Sequence, residues 1–213
     1  MGGRRSKRST RCIGCRMHLK LCICSFIPSK ATRHRWVFVQ HPDEKHKTTN
    51  TGHLAHRGLA GSQLSWFWSR TSPPEPPLSW GSDSETVLLF PRQGDSPIAA
   101  ADLAERPGPL TIVVLDGTWR QARKMATSIP QLQGMPSVAL PPEAHARFSL
   151  REETFPGGMS TLDAVCWLAE AIETPGLGEE LLQLNRVLVE RTLATRGTPL
   201  PGATGLGMES MEG

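Results

Sequence analysis

The chain has 213 residues, of which 38% are hydrophobic and 21% are charged, so it is long enough for one folded domain and too apolar to be largely disordered. Its apolar stretches are too short to cross a bilayer, which excludes a membrane-spanning protein. The net charge of +4 is uneven: residues 1–35 hold ten Lys/Arg and no Asp/Glu, whereas the remaining 178 residues hold 14 basic and 20 acidic side chains. This charge distribution is typical of a protein that binds a polyanion through one end, although a solvated basic tail has the same pattern.

Four of the five cysteines lie within thirteen residues of this basic segment, at Cys12, Cys15, Cys22 and Cys24. Four thiolates this close together can surround one Zn²⁺ tetrahedrally, and a complete shell of protein ligands indicates a structural site. Unligated thiols or a redox pair are the alternative. No apolar segment follows the basic N-terminus, so we expect no signal peptide and a cytoplasmic protein, in which metal binding is favoured over disulfides.

Strand and helix patterns alternate along the rest of the chain. Apolar runs predict strands at 36–40, 87–90, 111–115 and 137–140. Helical patterns are expected over 50–59, in an Ala-rich part of 91–109, over 119–126, from Ser160 onwards and over 179–194. Cys166 lies in the apolar pattern of the helix after Ser160, which indicates a core residue. The alternation predicts an α/β fold with a mainly parallel sheet and flanking helices.

The run Asp116-Gly117-Thr118-Trp119 joins the strand at 111–115 to the next helix. Ligands of open α/β sheets bind beyond the carboxyl ends of the strands, so Asp116 lies where chemistry usually occurs. Gly117 permits a tight turn, and Thr118 can cap the helix. The alternative is that Asp116 itself caps the helix and Trp119 belongs to the core.

The run from Leu115 to Ala122 resembles the signature of the DTW-domain family, which are tRNA-uridine aminocarboxypropyltransferases. Further blocks match in the order of that family, and the resemblance extends over roughly residues 11–195. These blocks are the cysteines at 12–24; His41-Pro42 with Glu44 and Asn50-Thr51; Leu89-Phe90-Pro91; and Leu150-Arg151 followed by Ser160-Thr161-Leu162-Asp163-Ala164. The sequence departs from the family at Asp163, where Glu is more usual, and at Phe148, where Tyr is common.

The resemblance implies a fold related to the SPOUT methyltransferases, which allows a C-terminal trefoil knot, together with a small N-terminal zinc knuckle. It also implies that S-adenosylmethionine donates its 3-amino-3-carboxypropyl group to N3 of a tRNA uridine. No obligate protein partner is expected. On this basis residues 1–35 are a basic zinc-binding segment, residues 36–196 are the DTW catalytic domain, and residues 197–213 are a disordered tail.

The resemblance also suggests roles for individual residues. Uridine N3 must lose its proton, so Asp116 is the first candidate for a base or an orienting group, and Glu44 is the second. The residues expected to bind S-adenosylmethionine are Phe90, Pro91, Leu115, Gly117, Thr118, Trp119, Ser160 and Thr161. The residues expected to bind tRNA are His41, Asn50, Thr51 and Arg151, and Arg151 is alternatively a partner of the carboxylate of S-adenosylmethionine.

Two other functions fit parts of the same sequence. One is a SPOUT-type RNA methyltransferase that uses the same sulfonium substrate. The other is a zinc-ribbon RNA-binding protein without catalytic activity. The position of Asp116 at the end of a buried strand, and a body far larger than a simple binding module needs, favour the enzyme.

Overall fold

A computed structural model describes residues 10–67, 74–78, 84–92, 94, 96–141, 143–148 and 158–195. Arg151 and the predicted tail at 197–213 lie outside the described residues. The strands are β1 (Lys30–Ala31), β2 (Arg35–Gln40), β3 (Leu59–Ala60), β4 (Gln63–Trp66), β5 (Thr86–Leu89), β6 (Ile98–Ala99), β7 (Thr111–Asp116) and β8 (Val138–Ala139). The α-helices are α1 (Gly52–Gly58), α2 (Ala100–Ala104), α3 (Trp119–Ser128), α4 (Thr161–Ile172) and α5 (Leu177–Ala194).

The central sheet has four parallel strands in the order β4-β2-β7-β5. The two inner strands, β2 and β7, are buried along almost their whole length, as expected when helices cover both faces of a parallel sheet. A parallel bridge between Leu88 and Ser137 extends the sheet beyond β5 towards β8, which pairs with β6. The predicted mainly parallel α/β architecture is therefore confirmed.

Alternate residues of the strands pack into two separate cores. Ile112 and Val114 of β7 face the first core, which contains buried side chains of α1, α2, α4 and α5. Val113 and Leu115 face the second core, which is covered by α3. Because successive side chains of a strand point to opposite faces of the sheet, one apolar run packs against helices on both faces. As a result, the carboxyl ends of β5 and β7 lie between the two layers of helices.

Most of the predicted elements are present, and Cys166 is buried in α4 as predicted. The strand β4 is missing from the prediction because its residues, Gln63–Trp66, mix polar and apolar side chains at an edge of the sheet. The last helix begins at Leu177, two residues before the predicted start. Within the described ranges, no helix is long and apolar enough to cross a membrane.

The cysteine-bearing segment packs on the body of the protein. We call residues 11–24 the knuckle; an antiparallel bridge between Arg11 and His18 closes its hairpin. Cys15, Met17 and Ile23 are buried in the first core, together with residues of α5. Burial of these apolar side chains ties the knuckle to the sheet domain. The division of the chain at residue 35 stays a prediction.

Candidate active site and metal centre

A cavity of about 720 Å³ lies at the carboxyl ends of β5 and β7. Its wall includes residues from both sides of the sheet and from the amino end of α4. This is the place where open α/β sheets bind their ligands. Twelve of the residues singled out from the sequence line it: Glu44, Asn50, Thr51, Phe90, Pro91, Leu115, Asp116, Gly117, Thr118, Trp119, Ser160 and Thr161.

Asp116 is the last residue of β7 and is only 2% exposed. Its Oδ2 accepts hydrogen bonds from the side-chain amides of Gln40 and of Asn50, the latter at 2.7 Å. Its Oδ1 accepts a hydrogen bond of 2.8 Å from the hydroxyl of Thr161. Three elements therefore orient one carboxylate: the end of β2, the residues before α1 and the start of α4.

The hydrogen bonds of Asp116 leave part of the carboxylate available. An ionised carboxylate has about four lone-pair sites, two on each oxygen. The two amides occupy Oδ2, and Thr161 occupies one site of Oδ1. One site of Oδ1 thus has no donor among the described residues, on a side chain that lines the cavity. Asp116 can therefore accept one N–H or O–H group of a ligand.

Burial raises the pKa of Asp116, and the negative charge of Glu44 adds to this effect. The hydrogen bonds from Gln40, Asn50 and Thr161 oppose it because they favour the charged form. The amino ends of α1 and α4 also approach the carboxylate, and the helix dipole favours a negative charge there. The net result is a carboxylate more basic than an exposed aspartate.

Gly52 allows α1 to approach Asp116 closely. A Cβ atom at this position would overlap the carboxyl carbon and both oxygens of Asp116. A residue without a side chain is therefore required at the first position of α1. The geometry of the carboxylate depends on this packing as well as on its hydrogen bonds.

Asn50 and Glu44 form the polar wall beside Asp116. Asn50 Nδ2 lies 3.5 Å from Glu44 Oε2, and Lys47 Nζ lies 2.5 Å from Glu44 Oε1. Asn50 Oδ1 accepts hydrogen bonds from Gln40 and from the backbone N–H of His53. Asn50 was expected to bind tRNA. In the structure its side-chain amide instead makes hydrogen bonds within the site and orients Asp116.

The turn after Asp116 starts α3, and Thr118 is its cap. The Thr118 hydroxyl accepts from the backbone N–H of Gln121, and the Gln121 side chain accepts from the backbone N–H of Thr118. The cap of α3 is therefore Thr118 and not Asp116, which was the alternative role for Asp116. Trp119 is half-buried and its ring lies 5.6 Å from that of Phe90, so this pair forms an aromatic wall of the cavity.

The amino end of α4 is partly satisfied by side chains. Ser160 Oγ accepts from the backbone N–H of Asp163, and Thr51 Oγ1 accepts from that of Leu162 at 3.4 Å. Two of the orphan amides of this helix start therefore already have partners. The Asp163 carboxylate accepts from the Ser160 hydroxyl rather than from its backbone N–H, which differs from a full capping box.

One described residue that was predicted to bind tRNA, His41, lies away from the cavity wall. His41 caps the short 3₁₀ helix Pro42–Glu44, and its Nδ1 lies 3.1 Å from the side-chain amide of Gln121. It does not belong to the described residues that line the cavity. Arg151 lies outside the described residues.

The four cysteines of the knuckle converge as a metal site requires. All four Sγ atoms lie within 4.8 Å of one another, with Cys12–Cys24 at 3.5 Å and Cys15–Cys22 at 3.7 Å. A tetrahedral site with Zn–S bonds of about 2.3 Å separates its sulfur atoms by about 3.8 Å. The backbone N–H of Ile23 also points at Cys15 Sγ, a hydrogen bond that stabilises a thiolate. This donor set fits Zn²⁺.

Sequence reasoning missed Gln40 and Gly52. The sequence shows only that Gln40 ends a predicted strand, whereas its alignment with Asp116 follows from the parallel register of β2 and β7. The sequence carries no signal for Gly52, because the close approach of α1 to Asp116 arises from the packing of separate elements.

The structure is that of an α/β protein with a large cavity beside a buried carboxylate. The family model of the DTW domain matches residues 9–193. The chain therefore belongs to the DTW domain family. No solved structure gives a significant match to the chain.

Three curated relatives are named as tRNA-uridine aminocarboxypropyltransferases. The chain is 27% identical to tRNA-uridine aminocarboxypropyltransferase 2 of Drosophila melanogaster, over 83% of this chain and 72% of the relative. It is 25% identical to the protein of the same name from Macaca fascicularis, over 83% of this chain and 61% of the relative, so it spans less than two thirds of that protein. It is 27% identical to tRNA-uridine aminocarboxypropyltransferase A of Arabidopsis thaliana, over 78% of this chain and 73% of the relative.

Proposed function

We propose that this chain is a tRNA-uridine aminocarboxypropyltransferase that uses S-adenosylmethionine. The observation that carries the proposal is the buried carboxylate of Asp116, which faces a large cavity with one acceptor site left on Oδ1. Membership of the DTW domain family and the names of the relatives supply the substrates.

Asp116 has the chemistry that the acceptor base needs. Uridine N3 carries a proton and becomes a nucleophile as this proton leaves. In the proposed reaction Oδ1 of Asp116 accepts the proton, and N3 forms a bond to the terminal carbon of the aminocarboxypropyl chain. The bond from this carbon to sulfur breaks, its electron pair stays on sulfur, and neutral methylthioadenosine leaves. Glu44 is less available because Lys47 occupies one of its oxygens.

The cavity is large enough for both reacting partners. Its volume of about 720 Å³ is in the range of sites that enclose small molecules. Phe90, Trp119 and Leu115 form an apolar wall that suits the adenine ring, whereas Asp116 and Glu44 form a negative wall that attracts a sulfonium cation. Positioning supplies much of the rate because the sulfonium is already an activated leaving group.

The surface beside the cavity suits RNA. The exposed face of α3 carries Arg120, Arg123 and Lys124, and the helix contains no acidic residue. Arg120 also lines the cavity. Positive side chains at helical spacing next to an active site are suited to contact phosphates near the modified nucleotide.

Zn²⁺ held by Cys12, Cys15, Cys22 and Cys24 has a structural role in this proposal. The four thiolates would complete its tetrahedral shell, so it would offer no open position to a substrate. The relation to SPOUT methyltransferases, the trefoil knot, the division into residues 1–35, 36–196 and 197–213, and the cytoplasmic location stay predictions.

The test is incubation of the purified protein with tRNA and with S-adenosylmethionine labelled either on the methyl or on the carboxyl carbon. Transfer of only the carboxyl label, with the mass of aminocarboxypropyluridine in the digested tRNA, is the expected result. Transfer of the methyl label alone would identify an RNA methyltransferase. Tight tRNA binding with no transfer of either label would identify a non-catalytic RNA-binding protein.

A further inference from the structure

Arg16 adopts a backbone conformation that rarely suits a residue with a side chain. Its φ is +63°, in the left-handed region, directly after the ligand Cys15. The hairpin imposes this conformation, because the backbone N–H of Arg16 donates to Cys12 O and that of Cys12 donates to Met17 O. Glycine is the default residue for such a position. Arginine here is strained, and residues held with strain cluster at functional sites.

The side chain of Arg16 reaches from the knuckle to the active site. Its guanidinium donates to the backbone carbonyl oxygen of Glu44 at 3.1 Å, and the residue is half-buried. Burial lowers the pKa of Arg16, while the negative charges of Asp116 and Glu44 oppose this change. The guanidinium stays ionised at any physiological pH. It is therefore a fixed positive charge beside the two carboxylates of the cavity.

His53 provides a second connection between the knuckle and Asp116. Its Nδ1 lies 3.1 Å from Asn50 Oδ1, and the amide of Asn50 donates to Asp116. On its other side, buried His53 lies against the knuckle, next to the backbone of Cys15 and the charge of Arg16. Because Asn50 Oδ1 is an acceptor, the proton of His53 lies on Nδ1. The charged groups around Asp116 in the described residues are Glu44, whose carboxylate is paired with Lys47, and Arg16, and Arg120 also lines the cavity.

We propose that Arg16 is a positioning residue for the transfer reaction, which holds the Glu44 segment in place and balances the negative charge beside Asp116. The knuckle would then serve catalysis directly, in addition to any contact with RNA. Contact with an RNA phosphate fits Arg16 less well, because its guanidinium is already bonded to Glu44 and half-buried. This inference rests on the proposed role of Asp116 as the base.

The experiment compares the whole protein with its Arg16→Gly, Arg16→Lys and Ser29→Gly variants. Arg16→Gly removes the charge and the hydrogen bond to Glu44 while it relieves the backbone strain, so its two effects on stability oppose each other. Ser29 is the matched control, because it is the other non-glycine residue with positive φ in the described ranges, at +49°, and is exposed. Zinc content, thermal unfolding, binding of S-adenosylmethionine, and kcat and KM for tRNA against pH are measured for each protein.

We expect Arg16→Gly to keep one zinc per chain, to unfold close to the wild-type temperature, and to bind S-adenosylmethionine within about twofold of wild type. Its kcat should fall by about tenfold to a hundredfold, as for other residues that orient a reacting group. Loss of the cation also disfavours the charged form of Asp116, so the acid limb of kcat should move to higher pH. Arg16→Lys should recover part of kcat, and Ser29→Gly should match wild type.

Three results would overturn the proposal. An unchanged kcat with a raised KM for tRNA would make Arg16 a phosphate contact. A wild-type profile would leave it without a role. Loss of zinc from Arg16→Gly with no recovery in Arg16→Lys would reduce it to a structural part of the knuckle. An Asp116→Asn variant is measured in parallel: if it is active, the proposed base is wrong, whereas an inactive Asp116→Asn beside a fully active Arg16→Gly contradicts only the role of Arg16.

Discussion

The substitution Asp116→Asn changes one carboxylate oxygen to an amide group at nearly constant volume. The amide oxygen can take the place of Oδ2 and keep the bonds from Gln40 and Asn50. The new NH₂ group then faces Thr161, whose hydroxyl turns from donor to acceptor. Every hydrogen bond of the site is thus retained. The variant loses the negative charge and presents an N–H group where uridine N3–H would be accepted.

Stability and activity should therefore change independently. The pKa of Asp116 is raised in the folded state, so its contribution to stability is present below the unfolded pKa and is lost as pH rises through the folded pKa. At neutral pH the ionised side chain opposes folding, and Asn should leave the free energy of unfolding unchanged or raise it by up to about 1 kcal/mol. Turnover should fall by about two to four orders of magnitude, which corresponds to about 2.7–5.5 kcal/mol in the barrier.

Glu173→Gln is the matched control. Glu173 is also buried, and it accepts hydrogen bonds from the backbone N–H of Arg33, the backbone N–H of His34 and the indole N–H of Trp36. It lies at the amino end of β2, the opposite end of the sheet from the cavity. All three of these donors are N–H groups that cannot turn into acceptors. Glu173→Gln should therefore lower the free energy of unfolding by about 1–3 kcal/mol and leave turnover unchanged.

The assay follows aminocarboxypropyl transfer to tRNA by label incorporation, with calorimetry for binding of S-adenosylmethionine and thermal unfolding for stability. In wild type, kcat should rise with pH through the pKa of Asp116, because only the ionised form accepts the proton. An Asp116→Asn variant that turns over within about threefold of wild type would refute the reasoning, because removing a general base costs at least about a hundredfold. The search would then move to Glu44→Gln, and activity in both variants would mean that solvent accepts the proton.

Three further predictions concern the metal, the packing and the RNA surface. Elemental analysis of protein purified without added metal should find about one zinc per chain, and Cys22→Ser should lose it; well-folded protein without zinc in wild type would contradict the site. Gly52→Ala should lower the free energy of unfolding by about 1–3 kcal/mol and reduce turnover, because a Cβ atom there would overlap Asp116. In the control Gly108→Ala the added Cβ atom has no neighbour within 4 Å, so calorimetry or denaturant titration should find its stability within about 0.5 kcal/mol of wild type. The double variant Arg123→Gln/Lys124→Gln should weaken tRNA binding and reduce the slope of log affinity against log salt concentration by about one per lost phosphate contact. The control Arg186→Gln removes a charge that is paired with Glu190 on α5 and should leave both quantities unchanged. Equal slopes for the double variant and wild type would exclude α3 from the RNA surface.

The sequence determines the elements and the chemistry that lie close together along the chain. The apolar run of β7 and the Asp116–Trp119 turn are local features, so a strand, a capped helix and a carboxylate at their junction follow from the residues themselves. The cysteine spacing likewise predicts the metal site, because its ligands fall within thirteen residues and the hairpin between them is short. The family resemblance adds residues from five blocks to one expected site.

Only the tertiary structure decides how these blocks act on one another. Asn50 has the same neighbours in sequence whether it faces RNA or Asp116, and the packing of α1 against β7 turns its amide towards the carboxylate. Gln40 becomes part of the site through the parallel register of β2 and β7, and Arg16 through the burial of the knuckle against the first core. Such contacts join residues 28 to 76 positions apart, and no local pattern encodes them because each depends on where two separate elements pack.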